Sequence, residues 1–242
     1  MQDTAYSLKK FSRIAGLLYL LVIAGGLFAE VFVREALAVP GDVLATARNI
    51  QTHETFYRLG FMADLLNFIC GLPVILFFYL LFSPIHKRTT LLAIFFVLIS
   101  NAVFASNILN QLHPLLLLGD KSYTGIFLPG QLAAMSAMAL DFQAQGYAIG
   151  LVFFGFYCLL IGGLIYKTAY IPKVLGVLYA IAGACYILHS FIMFLSHGFH
   201  EPLFPYILFP SFIGELSVCL WLLFGPGPRL PLPDPRRQQD KP

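Results

Sequence analysis

Six apolar stretches run through this chain, roughly over residues 11–33, 57–82, 91–118, 147–166, 174–195 and 206–224. A helix crosses the hydrocarbon layer in about 20 residues at 1.5 Å per residue, so each stretch is long enough to span it or nearly so. Lipid offers no hydrogen-bond partners to an open backbone, which leaves helices as the form these segments must take. The composition agrees: 59% of the 242 residues are hydrophobic and 11% are charged, whereas soluble domains carry about 25% charged residues. The expected fold is therefore an all-α polytopic integral membrane protein with six transmembrane helices in one domain, residues 1–226.

The third stretch is the longest and is broken late by Pro114; the sixth begins among Pro202, Pro205 and Pro210. Lys9 and Lys10 give the first stretch a basic start. Its apolar run exceeds the roughly 7–15 residues of a cleaved signal core, so a retained span is expected. Most of the 15 basic residues fall at the N-terminus (Lys9, Lys10, Arg13), after the second span (Lys87, Arg88), after the fourth (Lys167, Lys173) and in the tail (Arg229, Arg236, Arg237, Lys241). The other side has Arg34, Arg48, Arg58 and Lys121. By the positive-inside rule both termini are expected in the cytoplasm. The Pro-rich, charged segment 227–242 reads as a disordered cytoplasmic tail. A net charge of +3, spread over alternating loops, is no nucleic-acid footprint.

The outer connections are longer and patterned. Asp42 is placed to cap a helix running through Arg48 and Ile50, and Pro129 opens an amphipathic run over 131–145. Two amphipathic outer helices are expected, lying over the bundle or in the interface. The four cysteines, Cys70, Cys158, Cys185 and Cys219, all lie in apolar stretches and read as small buried residues.

Ionisable side chains in hydrocarbon cost roughly 2.5–3.5 kcal/mol on insertion scales and are functional candidates by default. Glu30, Asp64, His113, His189 and Glu215 all lie toward the end of the spans away from the basic loops. Asn67 follows Asp64 on one helix face, and the third span adds Asn107, Asn110 and Gln111. Glu30, Arg58, Asp64, Asn67, Asn107, Asn110, Gln111, His189 and Glu215 are thus expected to line an outward-opening polar cavity, with Arg58 at its mouth. The competing reading is hydrogen-bonded glue between helices, with Glu30 and Arg34 a simple interfacial ion pair. A sharper alternative is a metal site: His189 with His197, His200 and Glu201 supplies the imidazole and carboxylate ligands that suit zinc. No nucleophile elbow, phosphate-binding loop or His-Glu-x-x-His motif is present. Two heptapeptides echo one another, Arg13-Ile-Ala-Gly-Leu-Leu-Tyr19 and Lys173-Val-Leu-Gly-Val-Leu-Tyr179, each beginning an outward-going span.

Several short segments carry a resemblance over nearly the whole chain. They are Arg13–Tyr19, Ala47-Arg-Asn-Ile50, Tyr57-Arg-Leu-Gly60 with Asp64, Ser106-Asn-Ile-Leu-Asn110, Gly150-Leu-Val-Phe-Phe-Gly155 and Gly162-Gly-Leu-Ile-Tyr166. Tyr170-Ile-Pro-Lys-Val-Leu-Gly176 and Gly214-Glu-Leu-Ser-Val-Cys-Leu-Trp-Leu-Leu223 complete the set. Together they resemble an uncharacterised, mostly bacterial multi-pass family, domain of unknown function 4386. The resemblance implies six spans and a bacterial inner membrane but no activity. It also implies that an acid more often stands where this chain has His189.

The functional expectation is an inner-membrane protein whose polar cavity binds or transports a small molecule, a lipid headgroup or a proton. A metal-dependent intramembrane hydrolase and a non-catalytic assembly subunit are the alternatives. Beyond the bilayer and a small-molecule or lipid ligand, the sequence names no partner, cofactor or oligomeric state.

Overall fold

A segment in lipid must satisfy its own backbone, and the described chain does so almost entirely in helices. The computed structural model describes residues 2–119, 124–195 and 206–227. The tail after Gly227 lies outside them. Helix α1 (Gln2–Leu27) passes directly into a π-helical segment, Phe28–Glu35. There follow α2 (Val43–Thr52), α3 (Glu54–Leu117), α4 (Pro129–Lys167), α5 (Lys173–Leu195) and α6 (Phe209–Phe224). Among the described residues five helical stretches are long and apolar enough to cross a membrane.

One of the five is two crossings. A straight helix over the 64 residues of α3 would extend about 95 Å, some three times the hydrocarbon thickness. It is broken at His86, whose φ of −152° and ψ of 86° leave the helical region two residues after Pro84. The arms fold back on each other. Phe68 stacks on Phe104 with centroids 6.1 Å apart, and a Cβ on Gly71 would lie 3.9 Å from the Asn101 amide. Each of these pairs is equally far in sequence from His86, the signature of an antiparallel hairpin. Six crossings result, as the hydropathy pattern predicts.

The remaining contacts set the order of the bundle, and small residues make most of them. Gly162 meets Gly176, and Gly155 meets Gly183, between antiparallel α4 and α5. A Cβ on Gly183 would lie 2.4 Å from the Gly155 carbonyl, so only glycine permits this approach. On the other side of α5, Ser211 of α6 donates to the Ala182 carbonyl at 3.0 Å. Helix α6 then meets α1, where Ser12 donates to the Leu222 carbonyl at 3.1 Å. Ser100 ties α3 to α4 through the Gly150 carbonyl at 2.9 Å. The core between these helices is aromatic, with Phe77, Phe78, Phe82, Tyr157 and Tyr179 fully buried.

The ends of the bundle differ. At the basic end, Gly227 lies against Lys9, Lys173 sits over the Tyr166 ring, and Tyr170 donates to the Leu81 carbonyl at 3.4 Å. Burial pushes the Tyr170 phenol up to about 12, keeping it a neutral donor. At the opposite end α2 lies across α3 and α4. Asp42 caps it as the sequence predicts, accepting from the Ala45 amide at 2.9 Å. The second outer amphipathic run differs from expectation. Residues 131–145 form no separate helix but continue unbroken through Gly146 into the fourth span, giving a single 39-residue α4. Within it Gly146 lies against the Asn107 amide, whose oxygen would stand 2.2 Å from a Cβ there.

Candidate functional site

The π segment, both arms of α3 and the first half of α4 meet beneath α2, and the polar residues of that end converge on Arg34. Its Nε and Nη2 donate to Glu30 Oε2 at 2.8 and 2.5 Å. Its Nη1 donates to Asp64 Oδ2, which also accepts from Gln111 Nε2 at 2.8 Å. Tyr57 OH donates to the Gln111 backbone carbonyl at 2.9 Å. A guanidinium with two carboxylates is the arrangement a low-dielectric site requires, because neither charge is then left alone. Arg34 and Asp64 are 14% and 9% exposed at their side chains, while Glu30 is 41% exposed, so the network runs from the interior to an open edge.

Local sequence explains how the network is placed. Interruptions of an α-helix by π-type hydrogen bonding recur at functional sites. Here the π segment holds Glu30 and Arg34 four residues apart and facing α3. Gly60 of α3 lets that segment come close; a Cβ there would stand 2.8 Å from Val33 Cγ1. Behind the network, Asn107 Nδ2 donates to the Gln143 carbonyl at 2.7 Å, and Asn110 Nδ2 donates to Asn107 Oδ1 at 2.9 Å.

The network forms one wall of a cavity of about 180 Å³. Its polar lining is Glu30, Arg34, Glu35, Thr46, Tyr57 and Gln143; Leu37, Ala38, Ile50 and Leu140 supply the apolar part. Helix α2 forms a side of it through Thr46 and Ile50. Three polar bonds hold α2 in place: Val39 N–H to Thr46 Oγ1 at 2.9 Å, Asn49 to the Leu37 carbonyl at 3.1 Å, and Gln51 to the Leu118 carbonyl at 3.0 Å. A void of about 10 Å³ lies deeper, between Asp64, Asn107, Gln111 and Tyr147, with Arg34 and Gln143 shared between the two.

Glu215 belongs to a different cluster. It is buried in the bundle, where Tyr19 OH donates to Oε2 at 2.9 Å and Tyr186 OH donates to Oε1. The Tyr19 and Tyr179 hydroxyls lie 3.0 Å apart. These two tyrosines are the matching last residues of the two echoing heptapeptides, so the echo brings its own ends together. Glu215 lines neither of the two cavities.

The structure therefore brings Glu30, Asp64 and Gln111 together, sets Asn107 and Asn110 beside them, and separates Glu215. Arg58 does not stand at the cavity mouth. It pairs with Glu54 at 2.6 Å on the exposed surface of α3. With its amide turned so that both atoms are satisfied, Asn67 accepts from the Gly26 amide at 2.9 Å, joining α3 to α1. His189 is buried on α5 and lines neither cavity, and His113 is exposed. His197, His200 and Glu201 lie outside the described residues. Among the described residues no group of three His, Cys, Asp or Glu side chains is placed to hold a metal ion. Sequence reasoning placed Arg34 only against Glu30 and did not single out Glu35, Thr46, Tyr57, Gln143 or the tyrosines around Glu215. The echo ending in Tyr19 and Tyr179, and the family segment that begins at Tyr57, are the signals that point to any of them.

Six apolar helical crossings with a polar network at one end define an all-α polytopic membrane protein. A family model described as Domain of unknown function (DUF4386) matches residues 14–225, and the chain belongs to that family. It is also similar to an uncharacterised protein of Archaeoglobus fulgidus, at 26% identity over 182 residues, covering 75% of this chain and 91% of that protein. No solved structure matches it.

Proposed function

We propose that this protein binds a small ligand in the cavity beneath α2, facing the outer side of a prokaryotic cytoplasmic membrane. The carrying observation is the Arg34 network itself. Two carboxylates and a guanidinium are held in an apolar helix bundle beside a space large enough for a small molecule. A group of charges needed only to fasten helices has no use for an adjoining cavity with mixed polar and apolar walls, the usual make-up of a ligand site. The orientation is supported by the basic residues of the opposite end, with both termini in the cytoplasm.

The test uses Leu140→Cys on a background in which the four native cysteines are replaced. Leu140 is half-buried and lines the cavity. In intact cells a membrane-impermeant maleimide is expected to label it, and the additional substitution Ala38→Trp, which sets an indole at the exposed edge of the cavity, is expected to block labelling. Labelling only after the cells are opened would overturn the orientation. Labelling that Ala38→Trp leaves unchanged would overturn the cavity.

A further inference from the structure

The cavity has a charge preference that follows from how its donors and acceptors are already used. Arg34 commits Nε and Nη2 to Glu30 and Nη1 to Asp64. Three of its five N–H donors are thereby committed, and two carboxylates more than balance its single positive charge. The acids are not used up in the same way. Both bonds to Glu30 end on Oε2, and Oε1 accepts none among the described residues. Glu35, on the same wall, forms no ion pair among the described residues. Counting formal charges, Glu30, Glu35 and Asp64 outnumber Arg34 three to one.

Two further features of the same cavity point the same way. The Tyr57 hydroxyl is directed away to the Gln111 carbonyl, so its ring is the part left to line the cavity. An aromatic face attracts an ammonium or guanidinium within about 6 Å, and more strongly where water is scarce. Leu37, Ile50 and Leu140 line the same cavity and suit a hydrocarbon body. At about 180 Å³ the space slightly exceeds the cavity of about 150 Å³ that admits benzene.

We propose that the ligand is a small organic cation, an ammonium group carrying a short apolar body. Its charge faces Glu30 Oε1 and Glu35, its apolar part rests on Leu37, Ile50 and Leu140, and the Tyr57 ring covers one side. This rests on the ligand-cavity reading above and deepens it.

The experiment measures binding to the purified full-length protein in lipid nanodiscs by calorimetric titration. The probes are n-butylammonium and tetramethylammonium, with butyrate and 1-butanol as the anionic and neutral counterparts. At least one cation is expected to bind, and the anion and the alcohol at least tenfold more weakly. Glu35 makes no side-chain hydrogen bond or ion pair among the described residues, and Glu35→Gln is expected to weaken cation binding about fivefold. Tyr57→Leu should weaken tetramethylammonium more than butanol, and Ala38→Trp should abolish binding. If butyrate or butanol binds in the cavity and neither cation does, the charge assignment is overturned while the cavity reading stands. Cation binding that survives Ala38→Trp, or no binding by any probe, overturns the inference. Labelling of Leu140→Cys then judges the cavity on its own.

Discussion

Two parts of this bundle contain carboxylates that the amino-acid sequence presents alike, as single acids inside apolar helices. Around Asp64 the partners are a guanidinium, a second carboxylate and an amide, and the group opens onto a cavity. Around Glu215 the partners are phenols from α1 and α5, packed among aromatic rings with neither cavity adjoining. The chemistry of the partners accounts for the contrast. Phenol hydroxyls are donors attached to large apolar rings, so they satisfy an acid and fill the space around it together. Arg34 and Glu30 are long and charged, and through Glu30 the network reaches an exposed edge. An ionisable group in a membrane helix is therefore not enough to mark a site; what surrounds it decides between fastening and binding.

Removing a member of either cluster tests that contrast. The largest effect is expected for Arg34→Leu, which leaves Glu30 and Asp64 without a cation. Breaking a buried ion pair from one side costs about 3–5 kcal/mol, and thermal unfolding of the purified variant should register a loss of that size. A loss near zero would mean that the network is solvated and the difference between the two regions is smaller than the geometry implies.

Glu215→Leu comes next. It leaves the Tyr19 and Tyr186 hydroxyls without their acceptor, at about 1–3 kcal/mol in the same measurement. Glu215→Gln keeps an acceptor and should lose less. Neither is expected to alter labelling of Leu140→Cys. If Glu215→Gln changes that labelling in a fully folded protein, the two regions are coupled rather than independent.

Gly60→Ala presses a methyl group against Val33 and so against the segment holding Glu30 and Arg34. A loss of roughly 1–3 kcal/mol is expected, together with weaker ligand binding, because the added volume displaces the network itself. The smallest effect belongs to Arg58→Ala. Its partner Glu54 is about half exposed, as Arg58 is, and surface pairs of this kind contribute below about 1 kcal/mol. A large effect there would return Arg58 to the site.

Much of the fold is legible in the sequence because its signals are local. Length and hydropathy define the crossings, Lys and Arg distinguish the ends, and Asp42 marks the start of α2. The site is only partly legible. Glu30, Asp64 and Gln111 stand out as polar groups in apolar helices, but Tyr57 and Tyr186 look like ordinary aromatic residues. Arg34 has an obvious partner four residues away, which hides its second partner on α3.

Taken alone, the order of residues determined how many times the chain crosses, which end is basic and which side chains are too polar to face lipid. Periodicity along a single helix is enough for that. Only the tertiary structure decided that Asp64 meets Arg34 while Glu215 meets Tyr19 and Tyr186, and that the run from Pro129 continues into the fourth span. Those outcomes depend on the rotation of each helix about its axis and on which helices are neighbours. Close approaches such as Gly183 to Gly155 and Gly60 to Val33 set both, and no single segment encodes them.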